Sequence, residues 1–147
     1  MSDRILNVGC GMKPIAGAVN SDAVALPHVD VVHNLNVTPW PWADNSFDVV
    51  YMTDVLEHLT EIMPAMIECH RVLVPGGILR IRTVCWETRQ SYSDPTHKHW
   101  FNEDSFDFFD PSTHWGSNYG WYYPAKFAKV YGRRDGEELV FELKAIK

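Results

Sequence analysis

Apolar residues fall along this chain in short runs separated by turn formers, and the period of the runs changes part way along. Ile5-Leu6-Asn7-Val8 is a compact apolar run closed by Gly9-Cys10-Gly11, the pattern of a buried strand entering a tight turn. Met12 to Ala18 has room for one or two helical turns, with Pro14 suited to a first helical position and Gly17 to a stop. Val19–Asp22 and Val29–His33 read as strands two and three. Pro39–Ser46, rich in proline and turn formers, reads as a loop. Phe47–Met52 is strand four. Over Glu61–Val74 the period becomes helical, with Ile62, Met66 and Leu73 in one stripe and Thr60 as the expected N-cap. Pro75-Gly76-Gly77 stops that helix, and Ile78–Val84 is strand five.

The last third reads differently. Asn102 is placed to cap a helix over Glu103–Phe109. Phe127–Gly132 and Leu139–Ile146 bracket an Asp135-Gly136 turn, a hairpin signal. Alternating strands and helices followed by a hairpin predict an α/β fold. Its centre is a Rossmann-like, mostly parallel sheet flanked by helices, ending in an antiparallel pair. With 147 residues and no linker-like stretch, residues 1–147 are expected to form one domain.

Composition narrows the function classes. A net charge of −6 disfavours binding a nucleic-acid backbone through the bulk field. Three cysteines, Cys10, Cys69 and Cys85, form neither a disulfide framework nor a CxxC pair. No signal-peptide pattern and no run of transmembrane length are visible, so a cytoplasmic protein is expected.

Gly9-x-Gly11 after a strand lets a ligand approach the backbone closely. On an open parallel sheet, ligands bind at the carboxyl ends of the strands. Asp22, at the end of strand two, is the acid placed to accept ribose hydroxyls, with Asp30 a poorer choice. The spacing disfavours NAD or FAD. Pro14 stands where the dinucleotide fingerprint needs its third glycine, and Asp22 follows Gly11 by eleven residues instead of roughly 20. Taken alone, the turn fits a plain strand-to-loop connection equally well.

Five segments occur in order: Leu6-Asn7-Val8-Gly9-Cys10-Gly11, Val31–Asn36, Phe47-Asp48, Val55-Leu56-Glu57-His58-Leu59 and Arg71–Gly77. This series resembles class I S-adenosylmethionine-dependent methyltransferases, in particular compact bacterial and phage-type members, which also carry a segment like Asp94-Pro95-Thr96-His97-Lys98-His99-Trp100-Phe101. The resemblance implies S-adenosylmethionine as cofactor. Gly9, Cys10 and Gly11 would meet its methionine part and Asp22 its ribose. Asn34 and Leu35 would meet the adenine, and Thr53 and Asp54 would face the methyl donor. Relatives usually have an acid where this chain has Asn34, whose carbonyl still accepts a hydrogen bond. Many members also carry helices ahead of strand one. Here the strand opens the sequence, so the cofactor is expected to be exposed, or covered by the late aromatic segment or a second subunit.

Methyl transfer from a sulfonium needs alignment, and a base where the acceptor carries a proton. His97, oriented by Asp94, is the first choice for that base, with His58 another. The plain alternative is structural, with Asp94 capping a turn and His97 bonded to a backbone carbonyl. His97-x-His99 with Asp94 could form a two-histidine, one-carboxylate metal set, but the resemblance accounts for the segment without a metal. Ten aromatics lie between Trp100 and Tyr123, an excess suited to a substrate wall or a homodimer surface.

The expected function is therefore methyl transfer to an unidentified acceptor, either a small molecule or an exposed group of a larger one. The alternative is a non-catalytic S-adenosylmethionine-binding module that acts through a partner. A nucleic-acid acceptor is disfavoured, because Thr53-Asp54-Val55-Leu56 stands where amine-directed base methyltransferases carry an Asp/Asn-Pro-Pro-aromatic motif.

Overall fold

The computed structural model describes residues 2–147 as seven strands in a single sheet. The elements relevant to the site are β1 (Ile5–Val8), β2 (Val19–Asp22), β3 (Val31–Val32), β4 (Phe47–Thr53), α1 (Ile62–Val72), β5 (Leu73–Val84), α2 (Arg89–Ser93), α3 (His114–Tyr119), β6 (Lys126–Asp135) and β7 (Glu138–Ile146). The order across the sheet is β3-β2-β1-β4-β5-β7-β6. β1 to β5 pair in parallel, while β7 pairs antiparallel with both β5 and β6. This is the expected parallel sheet with an antiparallel terminal pair. The pair is antiparallel because Gly136, at φ +64°, turns the chain back within two residues and leaves no room for a crossover.

The chain leaves β1 toward β2 and β3, then returns to place β4 on the other side of β1. A switch point of this kind opens a crevice beyond the carboxyl ends of β1 and β4. Gly9 and Asp54 immediately follow those two strand ends.

α1 buries Ala65, Met66, Cys69 and Val72 against a core that includes Leu6, Val50, Met52, Leu79 and Ile81. The late aromatics extend the same core. Phe106 meets Phe141 at 4.6 Å between ring centroids, and His70 of α1 meets Phe127 at 5.4 Å. Along β5 the alternate residues Arg80 and Arg82 are solvent-accessible and pair with Glu142 and Glu138. That face of the sheet therefore carries ion pairs in place of a long helix.

Several sequence expectations are corrected. Residues 12–18 form no helix. Buried Asn7 and Asn20 take up their backbone groups: Asn7 Nδ2 donates to the Lys13 carbonyl, and Asn20 receives the Ile15 amide and donates to the Ile15 and Ala18 carbonyls. Strand three shortens to Val31–Val32. α1 begins after Glu61, not Thr60, whose amide is instead held by Asn36 Oδ1. Pro75-Gly76-Gly77 does not precede strand five but lies within it, as a bulge opposite Asp48, with Gly76 at φ +76°. Residues 103–109 form turns and one 3-10 turn, Asp107–Phe109, because Asn102 caps only a local turn through Asp104 and Ser105. The short helices α2 and α3 were not expected. Thr113 caps α3 by accepting the Gly116 amide.

Candidate active site

A cleft of about 320 Å³ lies at the switch point, lined by Gly9, Asp22, Ala23, His33, Asn34, Leu35, Asn36, Asp54, Val55, His58 and Leu59. Four stretches of chain build it. Gly9 (φ +60°) and Gly11 (φ +49°) both adopt the left-handed region. A side chain at Gly9 would strike Val55 Cγ2 at 2.5 Å, so the first glycine serves packing as well as turning.

Asp22 closes the glycine turn. Its Oδ2 accepts the Gly11 amide at 2.9 Å and its Oδ1 accepts the Val24 amide at 3.0 Å. Each oxygen keeps a further lone pair for a ligand hydroxyl. Asp30 instead accepts the Asn20 amide at 2.8 Å and does not line the cleft. Cys10 is buried, its amide bound to the Ser21 carbonyl, and burial raises its thiol pKa, with Asp22 adding to the rise. Cys10 and Gly11 thus shape the turn from behind. Asn34 Oδ1 accepts the Asn36 amide at 3.0 Å, and buried Leu35 supplies apolar wall. Asp54, at φ +56°, reaches Lys13 Nζ at 3.5 Å.

Of the residues expected around a cofactor, Gly9, Asp22, Asn34, Leu35 and Asp54 converge in this cleft. Thr53 does not. It lines a separate cavity with Tyr51, Arg80 and Tyr131, because neighbouring strand residues alternate between faces. His33 and Asn36 also line the cleft. Their only sequence signal was their place in the segment after strand three.

A second cleft of about 350 Å³ adjoins the first and shares Asp54 and His58 with it. Glu57, Val84, Gln90, Asp94, His97 and Glu138 complete its lining. The segment around Asp94–His99 is fastened to Glu57–Leu59 at three points. The Lys98 amide donates to the Glu57 carbonyl at 2.7 Å, His99 Nε2 donates to the Leu59 carbonyl at 2.8 Å, and His58 Nδ1 meets Thr96 Oγ1 at 2.9 Å. Asp94 Oδ1 accepts both the amide and the hydroxyl of Thr96, which holds its carboxyl below the usual range.

His97 lies beside the site with one ring nitrogen committed to structure. Its Nδ1 donates to the Ser91 carbonyl at 2.9 Å, and its Nε2 is 3.6 Å from Asp94 Oδ2. Its side chain is only 5% exposed, so His58, which borders both clefts, is the more accessible imidazole. His99, tied to Leu59, does not join His97 in the metal set considered from sequence.

A nucleoside-sized cleft at the switch point of a parallel sheet, with a glycine turn and an acid at neighbouring strand ends, is the arrangement in which α/β domains hold nucleoside ligands. The chain belongs to the methyltransferase-domain family, whose model matches residues 6–81. It is similar to a demethylmenaquinone methyltransferase of Geobacillus stearothermophilus, 41% identical over 68 residues, which are 46% of this chain and 27% of that protein. A probable S-adenosylmethionine-dependent methyltransferase of Mycolicibacterium smegmatis is 42% identical over 57 residues, 39% of this chain and 22% of that protein. The matches thus span about a quarter of the length of these curated relatives. Among solved structures, a SAM-dependent methyltransferase from Aquifex aeolicus superposes with a TM-score of 0.66 at 17% identity, covering 98% of this chain and 82% of that one. The cyclase SpnF superposes with a TM-score of 0.70 at 14% identity, covering 99% and 75%. These likenesses show the fold, and the second shows that proteins not named as methyltransferases share it.

Proposed function

We propose that residues 1–147 act as one S-adenosylmethionine-dependent methyltransferase domain. The cofactor would occupy the first cleft and the acceptor the second. The observation that carries this reading is the convergence of Gly9, Asp22, Asn34, Leu35 and Asp54 in one cleft that shares Asp54 and His58 with a second. Asp22 would take the ribose hydroxyls, and Asn34 and Leu35 the adenine. Gly9, with Cys10 and Gly11 shaping its turn, would leave space for the methionine part, and Asp54 would sit at the methyl donor.

The displacement itself needs alignment of nucleophile, methyl and sulfur, and a proton acceptor if the nucleophile is protonated. His58, His97 and Asp94 are the residues proposed for that work. His58 Nε2 would accept the proton, Asp94 would orient that ring through Thr96, and His97 would brace it edge to face at 4.7 Å.

The acceptor is a small molecule or an exposed group of a larger one. Exposed Trp100, Trp115, Tyr119, Trp121 and Tyr122 are proposed as a surface for a second copy of the chain, while Phe101, Phe106 and Phe109 belong to the core. Among the described residues no helix is long and apolar enough to cross a membrane. Three buried free cysteines support a reducing, cytoplasmic setting.

Calorimetry with S-adenosylmethionine, its demethylated product and NAD tests the binding step. One site per chain for the first two and none for NAD is expected, and no adenosylmethionine binding at millimolar concentration overturns the reading. A screen of acceptors with labelled cofactor then separates an enzyme from a binding module, because only the enzyme consumes cofactor.

A further inference from the structure

Glu57 is a buried acid with no Lys or Arg ion pair among the described residues. It is 2% exposed, and its side chain has one hydrogen bond, from Thr83 Oγ1 to Oε2 at 3.0 Å. A carboxylate taken out of water in this way requires a counter-charge or a proton.

Two imidazoles stand beside it. A carboxylate oxygen of Glu57 and one ring nitrogen each from His58 and His97 lie within 4.8 Å of one another. Both rings have Nδ1 already bound, and both bonds have a fixed direction. The Ser91 carbonyl can only accept, so His97 Nδ1 carries the hydrogen. Thr96 Oγ1 gives its own hydrogen to Asp94 Oδ1 at 2.7 Å, so it accepts the hydrogen of His58 Nδ1. In each neutral ring the lone pair is therefore on Nε2.

We propose that Glu57, His58 and His97 bind a divalent transition-metal ion of the zinc class, through the carboxylate and the two Nε2 atoms, with at least one position open to the second cleft. Two imidazoles and one carboxylate suit zinc, cobalt or iron(II), whereas magnesium and calcium prefer an all-oxygen shell. Metal-binding histidines characteristically hand their other ring N–H to a carbonyl or a carboxylate-linked acceptor, and both rings here do so. The lining adds charge of the right sign. It holds Asp54, Glu57, Asp94 and Glu138 and no lysine or arginine, although Lys13 and Arg82 reach Asp54 and Glu138 from outside it. Metal bonds of about 2.0–2.2 Å require the donors to draw closer than this 4.8 Å limit.

The site stands on these three residues whether or not the protein transfers methyl groups. If His58 is the base, a bound ion takes the lone pair that the acceptor's proton needs, so zinc slows transfer and a chelator restores it.

Metal-stripped protein should be titrated with Co²⁺, followed by its visible absorption, and with Zn²⁺ by calorimetry. One ion per chain is expected, with the intense bands of four- or five-coordinate cobalt. His58→Ala and His97→Ala should each weaken binding by more than about a hundredfold, and Thr96→Val, which removes no ligand, by about tenfold. Glu57→Gln should weaken binding without loss of thermal stability, since the amide oxygen still accepts from Thr83 and the buried charge is gone. No saturable site, or a site that survives the double His58→Ala, His97→Ala change, overturns the proposal. Adenosylmethionine calorimetry on the same samples reports separately on the methyltransferase reading.

Discussion

His58 Nδ1 lies 2.9 Å from Thr96 Oγ1, and that contact joins two motifs 38 residues apart. Because Thr96 also donates to Asp94, the direction of every hydrogen bond in the chain from His58 to Asp94 is set. In metal-free protein His58 should therefore be the Nδ1–H tautomer, with Nε2 free to accept a proton. Imidazole nitrogen-15 shifts measure this directly. Thr96→Val should mix the tautomers, and Thr96→Ser, which keeps the hydroxyl, should restore a single one. An unchanged His58 spectrum in Thr96→Val would show that something else orients the ring. Turnover should follow the same order, with the Thr96→Val loss smaller than the roughly 10²–10⁴-fold loss expected for His58→Ala.

Asp22 has two roles that a substitution separates. It anchors the amides of Gly11 and Val24, and it faces the first cleft. A charge-assisted hydrogen bond to a ribose hydroxyl is worth about 1.5–3 kcal/mol. Asp22→Ala should therefore weaken adenosylmethionine binding at least about tenfold, as measured by calorimetry, while the protein remains folded. Unchanged affinity would remove Asp22 from the cofactor site. Asp30 could not replace it, because its carboxylate already holds the Asn20 amide.

The sheet was legible because its strands are short apolar runs bounded by glycine and proline, and the hairpin because Asp135-Gly136 permits little else. Local hydrogen bonding was less visible. Nothing in the 12–18 run announces that Asn7 and Asn20 satisfy its backbone and so remove the reason for a helix. Within the candidate site, the place of Gly9 and Asp22 beside the cleft was legible because both immediately end or follow strands at the switch point. Thr53 was misplaced because which face of a strand a terminal residue takes depends on the register of β4, and a bare motif does not state it. Thr96 and Glu57 belonged to quoted motifs, but their roles depend on two distant segments meeting through the Lys98 amide and the Glu57 carbonyl.

The close approach of the glycine turn to Val55 can be tested at Gly9. An alanine there takes a left-handed conformation, costing about 1–2 kcal/mol, and its Cβ would fall 2.5 Å from Val55 Cγ2. Relief of that overlap adds a cost on the order of 1–3 kcal/mol. Gly9→Ala should lower the unfolding free energy by about 2–5 kcal/mol. Gly9→Ala with Val55→Ala should recover the overlap part but not the conformational part. Denaturant unfolding of both variants measures the difference. A Gly9→Ala protein as stable as the parent would mean that the turn can adopt another conformation.

Glu68 and Arg71 of α1 hold the Trp40–Trp42 loop. The Glu68 side chain is 8% exposed and accepts Arg71 Nε at 2.9 Å, Arg71 Nη2 at 2.7 Å and the Trp40 amide at 2.6 Å. Arg71 also reaches the Trp40 and Trp42 carbonyls and Asp44. The Arg71 hydrogen bonds, helped by the Trp40 amide, lower the Glu68 carboxyl pKa against the opposing effect of burial. A folded-state pKa below the unfolded value of about 4.3 means that ionised Glu68 stabilises the fold above that pH. The contribution is lost as pH falls through the lower, folded value. Glu68→Gln keeps the shape but removes the charge, so it should cost about 1–3 kcal/mol at pH 7. The gap between parent and variant should narrow steadily below about pH 4. Equal stabilities at pH 7, or a gap that widens on acidification, would show that the ion pair does not hold the loop.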